Sequence, residues 1–98
     1  MSGFDVDTEV TIGLKEPSMY SVILLNDNYT PMDFVIQLLV QVFGHTEESA
    51  MAVTMAVHNN GKGAAGVYSY EIAQQKQIDA KTAAEQFGHP LRLVLEEN

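Results

Sequence analysis

Apolar and polar positions change period several times along this chain, and each change marks an element. Tyr20-Ser21-Val22-Ile23-Leu24-Leu25 is a short run of β-branched and aliphatic side chains and predicts a strand over 19–25. Asn26-Asp27-Asn28 breaks it. Thr30 then reads as an N-cap, with Pro31 at the first helical position and Asp33 three residues after the cap. Phe34, Val35, Leu38, Leu39 and Val42 recur at helical spacing, which predicts a helix to about Phe43, stopped by Gly44. Thr46 caps a second helix, with Glu47 and Glu48 in the first turn, where the helix dipole favours anions. Its stripe is Ala50, Val53, Thr54 and Val57, and Met51, Met55 and His58 form a neighbouring one. Met51 and Met55 read as core, with adaptable pocket walls as the alternative. Asn59-Asn60-Gly61-Lys62-Gly63 ends the helix. Ala65-Gly66-Val67-Tyr68 predicts a short second strand. Ser69 caps the longest helix, about Tyr70 to Phe87, with Ile72, Ala73, Ala80, Ala83, Ala84 and Phe87 as its apolar contacts. Gly88-His89-Pro90 stops it, and Leu91 to Leu95 alternates as a final strand.

The order β-α-α-β-α-β predicts a small two-layer α/β sandwich, a three-stranded sheet with three helices on one face. Residues 1–16 stand apart. Phe4, Val6, Val10, Ile12 and Leu14 alternate with polar residues, as in a weak strand. Asp5, Asp7, Glu9 and Glu16, followed by Pro17-Ser18, favour a flexible acidic N-terminal extension instead. Residues 17–98 then form the core domain, and a chain of 98 residues fits one domain.

Composition narrows the function. A formal net charge of −8 disfavours nucleic acid and anionic membranes and suits cationic ligands. With no Cys, the chain has no disulfide framework, thiolate metal site or thiol nucleophile. No apolar run is long enough to cross a bilayer, and the N-terminus lacks the pattern of a secretory signal.

The candidate chemistry lies at the first strand-to-helix corner. Asn26 and Asp27 each have an ordinary reading as turn residues that bond their own backbone. His58 has one as a helix C-terminal residue favoured by the dipole. Taken together the three offer more. An ammonium group has three N–H donors and needs three acceptors once water is stripped from it. Asn26 offers an amide oxygen, Asp27 a carboxylate and neutral His58 a ring nitrogen. Should these border one groove, Tyr29, Met32, Val35, Thr54, Val57 and Leu91 supply an apolar wall beside them. A triad of Asp27 and His58 with Ser21 or Thr30 is weaker, because no nucleophile elbow surrounds either hydroxyl. A metal site of His45, His58, His89 and Asp27 lacks ligand spacing, and no cofactor is implied.

Longer motifs point to a family. Pro17-Ser18-Met19-Tyr20, Val22 to Asp27 and Tyr29-Thr30-Pro31-Met32-Asp33-Phe34-Val35 closely resemble the ClpS adaptor family. Ala56-Val57-His58, Gly61-Lys62, Gly66-Val67-Tyr68, Glu71-Ile72-Ala73, Lys76 and His89-Pro90-Leu91 continue the match in register over about residues 17–96. The resemblance implies a non-enzymatic bacterial cytoplasmic adaptor, a monomer. Such adaptors bind proteins whose first residue is bulky and apolar or aromatic, the N-degrons, and deliver them to an Hsp100 ATPase, ClpA or ClpC, for degradation by ClpP.

Carried onto this chain, the resemblance makes Asn26, Asp27 and His58 the partners of the substrate's α-ammonium and adjacent backbone. It makes Met32 the gate against β-branched side chains. Thr30, Pro31, Val35, Val57 and Leu91 become rim or wall, and Tyr29, Glu71 and Lys76 the surface that meets the ATPase amino-terminal domain. Two positions depart from the family pattern. Asn28 stands where a second acid is usual, and Thr54 where Met is common. Both bear on which first residues are preferred. The alternative reading is a divergent member that docks on and regulates the ATPase without reading N-termini.

Overall fold

The middle strand of a sheet covered by helices on one face needs apolar residues on that face, and Val22 and Leu24 supply them. The computed structural model describes residues 18–98. Its elements are β1 (Met19–Leu25), α1 (Met32–Gln41), α2 (Glu47–Asn60), β2 (Lys62–Ser69), α3 (Tyr70–Gln86) and β3 (Arg92–Glu97). The sheet order is β2-β1-β3, and both outer strands run antiparallel to β1. This is the predicted α/β sandwich in the predicted order.

Val22 and Leu24 of β1 have no solvent exposure. They join Leu93 of β3 and Ala65 of β2 in one core with Val35, Leu38 and Leu39 of α1, Ala50 and Val57 of α2, and Ala73, Ala80 and Ala84 of α3. Small side chains at three points along α3 let that helix lie close on the sheet. Burying a Leu side chain such as Leu24 contributes roughly 1.5–3 kcal/mol. Ile23, on the other face, pairs with Val94 and Ala64 and lies outside this cluster.

Local details differ from the sequence reading. β2 begins at Lys62, not Ala65, because β1 pairs with it along its full length; Leu25 faces Lys62 and Met19 faces Ser69. The register shifts once, with Val22 opposite Gly66 and Ile23 opposite Ala64, so Ala65 is the extra residue of a β-bulge. His45 takes up the slack there, its Nε2 lying 2.6 Å from the Ala65 carbonyl oxygen. Met51, Met55, Ile72 and Phe87 are all solvent-exposed, not core, Phe87 at 68%. A sheet of three strands is too narrow for each helix to bury more than one stripe. The extension expected over 1–16 lies outside the described residues.

Candidate functional site

Thr46 behaves as predicted, its hydroxyl accepting from the Ser49 backbone N–H at 3.1 Å. Thr30 does not. The cap position of α1 is Pro31, which makes no side-chain cap bond, and the Thr30 hydroxyl donates instead to Asp27 Oδ2 at 2.9 Å. The carboxylate takes the hydroxyl proton, and with α1 starting at Met32 the Thr30 side chain lies one residue too early to cap it.

Asp27 therefore organises the corner. Its Oδ1 accepts the backbone N–H of Tyr29 at 2.8 Å and of Thr30 at 2.7 Å. With the Thr30 hydroxyl on Oδ2, three donors pin one carboxylate. A carboxylate has about four lone-pair positions, so one position, on Oδ2, remains unspent. The turn role and an acceptor role thus coexist in the same side chain. Partial burial pushes the carboxyl up. The Thr30 and Tyr29 amides, the Thr30 hydroxyl and the nearby Arg92 charge outweigh it, and hold the carboxyl below its ordinary value of 3.8.

His58 is far from this corner in sequence, and two backbone features bring it near. Gly61 caps α2 in the left-handed conformation, φ 89°, which a side chain would strain, and donates to the Val57 carbonyl at 2.9 Å. The Gly61 carbonyl then accepts the Asn26 backbone N–H, also at 2.9 Å. This bond ties the end of β1 to the last turn of α2. Asn26, Asp27 and His58 consequently line one cavity of about 260 Å³.

The cavity is graded from rim to floor. Asn26, Asn28 and His58 are exposed, and Asp27, Thr30 and Leu25 are half-buried. Val35, Thr54, Val57 and Leu91 are buried. Met32, 41% exposed, stands at the edge. Acceptors at an open rim above an apolar floor suit a ligand that is cationic at one end and apolar at the other.

Nine of the ten residues expected to bind substrate line this cavity: Asn26, Asp27, Thr30, Met32, Val35, Thr54, Val57, His58 and Leu91. Pro31 does not. It lies on a second groove of about 600 Å³ between α1 and α3, with Phe34, Phe87 and His89 among its neighbours. Leu25 lines the cavity, and Arg92 acts on Asp27 by its charge; neither was singled out from the sequence. Their signal is register, since Arg92 pairs with Leu25 across β1 and β3, and register is invisible in a motif.

The three residues expected to meet a partner are placed differently. Tyr29 is 79% exposed in the corner loop, and Glu71 is exposed in the first turn of α3. Lys76 is half-buried and bonded internally. Its Nζ donates to the Val42 carbonyl at 2.8 Å, beyond the end of α1, and stands 5.9 Å from the Tyr68 ring centroid. That ring lies over Gly66, where a Cβ would collide with it. Lys76 thus joins α3 to α1, whatever else it touches. Among the described residues no His, Asp or Glu cluster could hold a metal ion, and no helix is long and apolar enough to cross a membrane.

Fold and cavity together define a small α/β binding module. Residues 15–94 match the family model described as "ATP-dependent Clp protease adaptor protein ClpS". The chain is 46% identical to the ATP-dependent Clp protease adapter protein ClpS of Helicobacter hepaticus, over 93% of this chain and 92% of that relative. It is 44% identical to the ClpS of Hyphomonas neptunium, over 97% and 80% respectively. The structure of Agrobacterium tumefaciens ClpS2 bound to L-phenylalaninamide is similar, with a TM-score of 0.82 and 35% identity, over 85% of this chain and all of that one. This chain belongs to the ClpS family of Clp protease adaptors.

Proposed function

We propose that this adaptor binds proteins by a free α-amine and a bulky apolar or aromatic first side chain, and delivers these N-degrons to ClpA or ClpC for degradation by ClpP. The observation that carries the reading is the unspent acceptor position on Asp27 Oδ2, held rigid by three donors beside Asn26 and His58 at the rim of an apolar cavity. An α-ammonium has three protons for these three acceptors. The first side chain enters toward Val35, Val57 and Leu91, and Met32 at the edge screens its β-carbon. The ligand of the Agrobacterium relative, L-phenylalaninamide, combines a free α-amine, a phenyl side chain and an amide in place of the next peptide bond. That chemistry matches both halves of the cavity here.

The magnitudes are adequate. Burying a Leu or Phe side chain contributes roughly 1.5–3 kcal/mol. Hydrogen bonds to a charged group contribute about 1.5–3 kcal/mol each before ordering costs. Low-micromolar affinity needs about −8 kcal/mol, which one residue and its ammonium can reach. Tyr29, Glu71 and Lys76 serve the ATPase contact in this reading, in a bacterial cytoplasm.

Fluorescence anisotropy with a Phe-initiated peptide and its N-acetylated twin tests the proposal. The free peptide should bind and the acetylated one should not, because acetylation removes the charge and two of the three protons. Equal affinity for both would sink the reading and leave the alternative, docking on the ATPase without reading N-termini.

A further inference from the structure

Thr54 is the one buried polar side chain among the described residues, at 3% exposure, and it lines the cavity. Its hydroxyl donates to the Ala50 carbonyl one helical turn earlier, at 2.8 Å. A hydroxyl has one proton and two lone pairs. With the proton committed to Ala50, the oxygen can act toward a ligand only as an acceptor. The other buried residues of the wall, Val35, Val57 and Leu91, offer no polar side-chain atom.

We infer that the Thr54 hydroxyl oxygen sets the preference of this cavity, favouring tyrosine, an aromatic first residue that carries a donor, over phenylalanine and leucine. The inference rests on the function proposed above and specifies its substrate class. In a wholly apolar cavity a phenol loses its bonds to water and gains none, so phenylalanine is favoured. One acceptor on the wall removes that penalty and reverses the order. The discrimination stays modest for a structural reason. Because the Thr54 proton already has a partner, a phenylalanine ring leaves no orphaned donor behind. A site whose own donor would be stranded rejects the wrong ligand far more strongly. A single neutral hydrogen bond implies a preference of about three- to tenfold.

The test uses four peptides, identical after the first residue, which is Tyr, Phe, Leu or 4-methylphenylalanine. The last matches Tyr in shape and lacks the donor. The proteins are the full chain and its Thr54→Val and Thr54→Ser variants. Val keeps the shape and removes the acceptor, whereas Ser keeps the acceptor and removes a methyl. In the unaltered protein and in Thr54→Ser, Tyr should bind about three- to tenfold tighter than Phe or 4-methylphenylalanine. In Thr54→Val that ratio should fall to one or below. A Tyr-to-Phe ratio that survives Thr54→Val overturns the inference. So does a 4-methylphenylalanine peptide that matches Tyr in the unaltered protein, which would make size and not the donor decisive. Should Thr54→Val fail to fold, that ligand comparison still decides. An acetylated Phe peptide separates the two levels. If acetylation abolishes binding while the ratio ignores Thr54, only the inference falls; if acetylation changes nothing, the proposed function falls with it.

Discussion

Two connecting corners of this molecule each hinge on one polar side chain, and they end differently. Between α1 and α2, the His45 ring is spent on both sides. Its Nε2 donates to the carbonyl of Ala65, since a carbonyl can only accept, and its Nδ1 meets the Ser49 hydroxyl. The ring holds the bulge of β2 against the helical layer and has no ring nitrogen left for a ligand. Between β1 and α1, Asp27 is pinned by three donors and retains one acceptor position beside a cavity. Both residues look equally tied down in a list of bonds. The difference lies in unspent capacity and in what that capacity faces. A polar group with all its capacity used stabilises the fold, whereas one held rigid with capacity left over is preorganised for a ligand.

The sharpest way to break this comparison is Asp27→Asn. The Asn oxygen can still accept the Tyr29 and Thr30 amides, so the corner survives. The other carboxylate oxygen becomes an NH2 group, a donor facing the ammonium. Affinity for a Phe-initiated peptide should fall roughly thirtyfold or more, about 2 kcal/mol or above, with the thermal midpoint nearly unchanged. Asp27→Ala should lose binding and part of the stability together. Should Asp27→Asn bind as before, the spare acceptor position has no role in recognition.

The opposite outcome is expected at the other corner. His45→Phe removes the donor to Ala65 and strands a buried carbonyl, which costs about 1–3 kcal/mol. Urea denaturation should show the midpoint falling, while the remaining folded protein binds the peptide with unchanged affinity. A weakened affinity at saturating folded fraction would mean that the bulge, and not only the β1–α1 corner, shapes the cavity.

These contrasts also explain what was legible in the chain. Element order followed from Tyr20–Leu25, from the helical spacing of Phe34 to Val42, and from the breaks at Gly44, Gly61 and Gly88. The residue types of the site followed from counting acceptors against ammonium protons. That Asn26 and His58 line one cavity did not, because it depends on one backbone bond from Asn26 to Gly61. Thr30 is not the cap because α1 begins one residue later than the spacing predicts, with Pro31 at the cap position and the Thr30 hydroxyl donating back to Asp27. Pro31, rim or wall by family position, lines the α1–α3 groove. The true length of β2 came from pairing with β1, which overrode the weak strand propensity of Lys62-Gly63-Ala64. Met51, Met55, Ile72 and Phe87 show the limit of periodicity. It identifies a stripe but not whether the facing layer is wide enough to cover it.

The smallest expected effect separates the structural half of Asp27 from its binding half. Its carboxyl sits below 3.8 in the folded protein, held there by donors that the unfolded chain lacks. A depressed folded value means that the stabilisation is present above the unfolded value and is lost as pH falls through the folded one. The protein should therefore lose stability on acidification from about pH 5 toward pH 2 more steeply than Asp27→Asn, whose corner bonds do not titrate. The gap should be slight, since the side chain is half-exposed and water screens it. Denaturation midpoints of the two proteins across that window measure it. Parallel curves would show that the three donors position the carboxylate without stabilising its charge. Its role would then be geometric alone, and the contrast with His45 would rest entirely on the spare acceptor.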